Sequence, residues 1–191
     1  MTNDRYRVAI HEAGHAVCAL RLEISFDSVT INQEGEILGE VKTDDICRYN
    51  PKSRADAMAA VIFSFGGYVA ELLYSYDIEG SVAGAEDDLA DVMDILRPAF
   101  KTDKECLRRW HRAHVKTFKL LSKPETWAIV EKLAAALIEK ETLTFEEAID
   151  IAFGASKKGA RNDRPGIRPR LYGRPRQNGG RQEAHSEHCG G

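Results

Sequence analysis

Two histidines lie four residues apart near the start of the chain, with a glutamate directly after the first. They belong to the segment His11–His15, inside an apolar stretch that predicts a helix over about residues 3–22. Residues four apart on an α-helix face the same way, so His11 and His15 can bind one metal ion, and Glu12 can reach a water molecule there without being a ligand. The motif predicts a hydrolytic zinc site with Glu12 as the catalytic base. The alternative is a surface helix that carries these residues without a metal.

Two histidines leave a zinc site incomplete, because catalytic zinc takes a third protein ligand and keeps a fourth position open. Spacing alone does not choose the third ligand among the later His, Asp and Glu residues. The best local candidate is the acidic cluster Glu86-Asp87-Asp88, which opens a helix after a loop with two glycines. Acids in the first turn of a helix also interact favourably with its macrodipole, so the cluster fits a purely structural role equally well.

Four segments resemble, in the same order, the peptidase domain of the FtsH-type AAA zinc metalloproteases. They are His11–Val17, Phe65–Glu71, Ser81–Leu89 and Leu137–Leu143. The resemblance covers about residues 5–154. Four collinear matches are far more specific than the zinc motif alone.

The resemblance implies that Asp88 is the third zinc ligand. Asp87 stands where the family usually has asparagine, so it is the alternative, and Ala83 replaces a customary threonine in the preceding loop. Zinc-binding histidines usually need a second hydrogen-bond partner, so Glu71, at another position of the resemblance, is a candidate for that contact, and the alternative is that it is a surface residue. Gly14 and the pair Gly66-Gly67 are costly in helices, and we expect them where two helices cross with their backbones close together near the metal.

The implied function is that of a zinc-dependent endopeptidase acting on polypeptides. The sequence has no phosphate-binding loop of the Gly-x-x-x-x-Gly-Lys-[Ser/Thr] type and no membrane anchor. We therefore expect a free-standing peptidase domain that cleaves unfolded or flexible polypeptides without ATP, unless a separate ATPase partner is recruited in trans. The exposed edge of a strand at Ile37–Val41 is a candidate surface for aligning the substrate.

The patterns predict a mainly α-helical domain over residues 1–154 with a small β-hairpin or sheet. Alternation predicts strands at Phe26–Ile31 and Ile37–Val41, and Asp77–Gly84 is expected to be a loop. Later helices are predicted to follow Ser53, to include Leu89–Leu96, and to begin at Thr102, Pro124 and Thr144. Apolar stripes are expected at Met58, Ile62, Phe65, Val69 and Leu72, and then at Leu107, Trp110, His114, Phe118 and Leu121.

Residues 155–191 have the composition of a disordered basic tail. The stretch Lys157–Arg181 has a net charge of +8, so the rest of the chain has −11, given the overall −3. Such a tail can contact nucleic acid or an anionic surface, although few aromatic residues accompany its arginines. One alternative function is therefore a tail-mediated nucleic-acid-associated or membrane-associated protein. Another is a zinc-binding regulatory module without catalysis, against which the intact Glu12 argues.

Cysteine usage and hydropathy suggest a compartment. The four cysteines are scattered, which favours a reducing environment. We expect no apolar run of the roughly 18–20 residues that span a membrane, and the N-terminus lacks the features of a signal peptide. A cytoplasmic location is therefore expected. Neither the oligomeric state nor the natural substrate follows from the sequence.

Overall fold

A computed structural model describes residues 2–32, 39–43, 51 and 53–154. The helices are α1 (Thr2–Leu22), α2 (Arg54–Ser75), α3 (Ile78–Ala83), α4 (Glu86–Ala99), α5 (Asp103–Leu121), α6 (Pro124–Lys140) and α7 (Phe145–Phe153). The strands are β1 (Ser28–Thr30), β2 (Glu40–Lys42) and β3 (Thr142–Thr144). This confirms the predicted fold class, mainly helical with a small sheet. The predicted tail at residues 155–191 lies outside the described residues.

The sheet has three strands in the order β2-β1-β3, and both pairings are antiparallel. Val29 of β1 lies opposite Val41 on one side and Leu143 on the other, and all three side chains are buried. The sequence predicted the first two strands but not β3. Three residues between two helices are too few to show the alternation that identifies a strand. Part of the predicted Ile37–Val41 strand, residues 37 and 38, falls outside the described residues.

The helix α2 lies at the centre of the fold. All its residues from position 60 to 71 are buried, because α1, α4 and α5 pack around it. The predicted apolar positions of this helix are all buried or half-buried, and burial extends to every side of it between positions 60 and 71. Arg54–Ser75 is also long and apolar enough to cross a membrane by length and composition, contrary to our expectation of no such run. Since 67% of its most apolar window is buried inside the protein, its apolar character serves the core.

The helices α1 and α2 cross with their backbones in contact. A Cβ atom at Gly14 would collide with the Gly66 carbonyl oxygen and the Ala70 Cβ, and a Cβ at Gly66 would lie 2.8 Å from the Gly14 oxygen. Any side chain at either position would push the helices apart. The close crossing expected from these glycines is therefore confirmed.

Two local predictions are wrong. Residues Ile78–Ala83, expected in a loop, form α3, whose first turn is capped by the Asp77 side chain accepting from the Gly80 N–H. In α5, Leu107 and Phe118 are 68% and 39% exposed, although the pattern placed them on the packed face.

Leu121 of the predicted stripe is fully buried and Trp110 packs against the core, while Cys106, Ala113 and Thr117 complete the packed face of α5. Its small residues allow α5 to approach α2 closely, and the Thr117 hydroxyl lies 3.4 Å from the Ile62 carbonyl oxygen. A pattern that counts only large apolar residues misses the small residues of such a face.

The predicted N-caps at Ser53, Thr102 and Thr144 are confirmed. Each side-chain oxygen accepts a hydrogen bond from the backbone N–H three residues later. At Thr144 the Glu147 side chain also accepts from the Thr144 N–H, which completes a capping box.

Candidate metal centre

Three ligand-type side chains meet where α1 approaches the first turn of α4. His11 and His15 extend from α1, and their Nε2 atoms lie 3.0 Å apart. Asp88 extends from α4, and its Oδ2 lies 3.0 Å from each of those nitrogens. Among the described residues, this is the group of His, Cys, Asp and Glu side chains that can hold a metal ion. The neighbouring Asp87 is exposed and does not belong to it.

The hydrogen bonds on the far side of each imidazole orient the ring nitrogens. The Nδ1 of His11 lies 2.7 Å from the Glu71 carboxylate, and the Nδ1 of His15 lies 2.8 Å from the Phe63 carbonyl oxygen. Both partners only accept, so each Nδ1 donates, and in a neutral ring Nε2 then carries a lone pair. Two such nitrogens and a carboxylate oxygen repel one another unless a metal ion, or a proton on one Nε2, lies between them.

The donor set and its spacing fit zinc. Zinc binds imidazole nitrogen and carboxylate oxygen, and around a tetrahedral ion with bonds of about 2.0–2.1 Å the ligand atoms lie about 3.3 Å apart. The three observed separations are each 3.0 Å, so a small outward movement would accommodate the ion. The outer hydrogen bonds on both histidines match what zinc-binding histidines require.

The electrostatics of the centre also favour a cation. Burial by itself would lower the pKa of His11, but hydrogen bonds to Asp88 and Glu71 raise that pKa to about 10. Burial would likewise raise the pKa of Asp88, yet His15 and His11 hold it far below its ordinary value. The centre therefore stabilises positive charge at the point where the three ligand atoms meet.

Glu12 lies beside this centre without joining it. Its side chain is buried, and no hydrogen bond between described residues involves its carboxylate. Burial raises the pKa of Glu12, while His11 and His15 oppose the rise. A Cβ atom at Gly39 would lie 2.7 Å from the Glu12 Cγ, so the start of β2 packs directly on this side chain. The arrangement leaves a carboxylate beside the metal centre that is available to accept a proton.

Glycines allow the surrounding elements to approach the site. A side chain at Gly67 of α2 would collide with the His11 imidazole, and one at Gly84 would lie 2.8 Å from the Glu71 carboxylate. The contact between Glu71 and His11 suggested by the sequence is present. Sequence reasoning missed the Phe63 carbonyl, because a backbone acceptor leaves no signal in the side-chain pattern.

Arg7 is another residue of the site that the sequence analysis did not identify. Its Nε donates to the second oxygen of the Glu71 carboxylate. Its position could have indicated this role, because Arg7 lies four residues before His11 and the two residues therefore share one face of α1.

Two imidazoles and a carboxylate around one point, with another carboxylate alongside, are typical of metal-dependent hydrolases. A family model described as Peptidase family M41 matches residues 1–102, more than half of the chain. The protein belongs to peptidase family M41. The match includes α1, α2 and the first turn of α4, and therefore every residue of the centre described above.

A named relative agrees with the family assignment. The chain is 39% identical over 98 residues to the ATP-dependent zinc metalloprotease FtsH of Thermobaculum terrenum. The aligned part is 49% of this chain and 14% of that protein. Because the chain spans only a small part of the relative, the similarity supports an FtsH-type peptidase domain rather than the activity of the whole relative.

Proposed function

We propose that the protein is a zinc-dependent endopeptidase that hydrolyses peptide bonds in unfolded or flexible polypeptides, without ATP when it acts alone. The observation that carries the proposal is the convergence of His11 Nε2, His15 Nε2 and Asp88 Oδ2 within 3.0 Å of one another. Lone pairs held so close together are a binding site for a divalent cation. The similarity to a zinc metalloprotease supports zinc as that cation, and membership of a peptidase family supports peptides as the substrate class.

In this proposal, His11, His15 and Asp88 hold the zinc ion. When bound, zinc lowers the pKa of water toward neutrality and polarises the scissile carbonyl group. Glu12 accepts the proton of the attacking water and later donates it to the leaving amine, so it acts first as a base and then as an acid. Glu71 and the Phe63 carbonyl keep each imidazole in the tautomer whose Nε2 faces the centre.

We propose that the substrate binds as an extended chain along β2. This strand is at the edge of the described sheet, and the residue that precedes it, Gly39, packs against Glu12. A peptide that pairs with β2 would therefore pass close to the catalytic base. Backbone hydrogen bonds give such binding most of its affinity, so extension matters more than any single side chain.

The activity is tested by measuring zinc content and casein hydrolysis in the wild type and in Glu12→Gln. This substitution removes the base but leaves all three ligands, so zinc should remain while hydrolysis falls by at least about 100-fold, the lower end of what general acid–base catalysis contributes. His11→Ala should lose the metal itself. Retained turnover in Glu12→Gln, with contaminating protease excluded, contradicts the mechanism.

A further inference from the structure

Arg7 reaches the metal centre through one intermediary. It lies on α1 one turn before His11, and its Nε donates to Oε2 of Glu71. The other oxygen of that carboxylate, Oε1, accepts from His11 Nδ1 at 2.7 Å. The Glu71 side chain is 5% exposed and that of Arg7 is 28% exposed, so this ion pair is largely shielded from water.

We propose that Arg7 is a positioning residue for the metal centre, which holds the Glu71 carboxylate so that it orients the His11 imidazole. The proposal rests on the zinc site proposed above. The terminal torsion angle of a glutamate side chain has a broad distribution, so one hydrogen bond does not fix the plane of its carboxylate. The guanidinium on Oε2 supplies the second fixed contact, and Gly84 packs against the same carboxylate from α3's end.

A second carboxylate, that of Asp77, also contacts Arg7. The Nη1 of Arg7 lies 3.6 Å from Oδ2 of Asp77, the residue that caps α3. Arg7 therefore connects α1, which supplies two ligands, to the start of the segment that leads to Asp88. A planar guanidinium can contact both carboxylates at once, which a lysine ammonium at the same position does less well.

The test measures zinc affinity, by competition with a chromophoric chelator, in wild type and Arg7→Met. Methionine keeps much of the side chain's length and removes its donors. Loss of an outer partner of a ligand histidine typically weakens metal binding by about 10–100-fold, and we expect about 10-fold here because Glu71 itself remains. Unchanged or tighter zinc binding in Arg7→Met overturns the proposal.

Arg5→Met is the matched control. Arg5 lies two residues earlier on the same helix and pairs with Glu141, but both of these side chains are about half exposed, at 50% and 49%. Such surface pairs contribute little, and this one does not touch the metal centre. Zinc affinity should be unchanged in Arg5→Met, and a loss equal to that of Arg7→Met would mean that Arg7 has no specific role.

A thermodynamic cycle separates positioning from general stabilisation. If Arg7 acts through Glu71, then Arg7→Met should cause no further loss of zinc affinity in a Glu71→Gln background. Arg7→Lys should recover part of the affinity, since an ammonium group can still donate to Oε2. An equal loss in the Glu71→Gln background, or no recovery with lysine, contradicts the proposal. Arg7→Gln supplies the same comparison if Arg7→Met does not fold.

His11→Ala, measured alongside, distinguishes this inference from the proposed zinc site. If His11→Ala keeps full zinc affinity, the zinc site itself is wrong, and the role of Arg7 is rejected with it. If His11→Ala loses zinc while Arg7→Met binds it like the wild type, only the positioning role is rejected.

Discussion

Two adjacent aspartates at the start of α4 have different surroundings. Asp88 turns toward the histidines of α1, and its side chain is 14% exposed, whereas Asp87 is exposed. Adjacent residues on a helix point about 100° apart, so only one of them can face the metal centre. This geometry supports the register that the family resemblance implied.

We predict that Asp88→Asn weakens zinc binding strongly and that Asp87→Asn leaves it nearly unchanged. Loss of a residue that hydrogen-bonds a ligand histidine typically weakens metal binding by about 10–100-fold. Replacing a charged ligand itself should weaken zinc binding at least as much. Zinc titration of the two variants under the same buffer conditions measures the difference. A larger loss at position 87 would place the third ligand one residue earlier.

His114 is a second residue whose surroundings determine its chemistry. It is half-buried on α5, its ring is stacked on Trp110 at a centroid distance of 5.6 Å, and Phe65 and Tyr68 also contact it. Its Nε2 is buried without a hydrogen-bond partner in the described structure. Burial, and to a smaller extent the nearby His111, lower the pKa of His114 below its ordinary value of 6.5.

This pKa shift predicts a loss of stability in acid. The unfolded chain takes up the proton near pH 6.5, before the folded protein does, so the free energy of unfolding should fall as the pH drops below 6.5. His114→Phe should reduce the fall. Urea denaturation at pH 8 and pH 5.5 measures this fall in the free energy of unfolding. His111→Gln is the control, and it should keep most of the fall, because burial is the larger cause of the pKa shift. A fall in His114→Phe equal to that of the wild type would contradict the assignment.

At the scale of the elements, the crossing of α1 and α2 holds the site together. Both histidines belong to α1, while α2 supplies Glu71 and the Phe63 carbonyl that orient them. The glycines at the crossing allow these contacts, since Gly67 leaves room for the His11 ring. The geometry of the metal centre therefore depends on the distance between two helix axes.

We predict that Gly14→Ala destabilises the protein. Alanine improves helix propensity by about 1 kcal/mol, but its methyl group would collide with the Gly66 carbonyl oxygen and the Ala70 Cβ. Overpacking of this kind costs about 1–3 kcal/mol and here moves the backbone, so we expect a net loss and weaker zinc binding. Thermal unfolding and zinc titration test this, and a rise in melting temperature would show that the helices separate without cost.

At the scale of the whole molecule, the proposed substrate preference depends on access to the centre. His11 and His15 are 8% and 4% exposed, so a peptide bond must enter the site to reach them. A folded domain presents its backbone inside its own structure and does not fit such a site. An extended chain paired with β2, as proposed above, would fit it.

We predict that the protein cleaves a destabilised mutant of a test domain much faster than the stable parent, with or without ATP. The cleavable species is the open chain, whose population rises with the loss of folding free energy. The two substrates are offered at equal concentration and followed by gel electrophoresis. Equal cleavage would reject the idea, and a requirement for ATP would indicate a partner ATPase supplied in trans.

Local signals in the sequence determined much of this protein. Helical periodicity and capping residues such as Ser53 and Thr144 located most helices, because these interactions join residues within a few positions of one another. The same spacing paired His11 with His15, and the glycines predicted the crossing that the structure shows.

The family resemblance named Asp88 and Glu71 in advance, but only the tertiary structure shows that these distant groups meet the histidines. It brought Asp88 to the histidines across more than 70 residues, paired β3 with β1, and turned Leu107 toward solvent. It also brought Arg7 into hydrogen-bonding contact with Glu71, and the distance between these residues in the sequence gives no indication of that contact. The physical reason is that such contacts depend on how helices pack, and packing is set by the shape of all neighbouring surfaces rather than by any one segment.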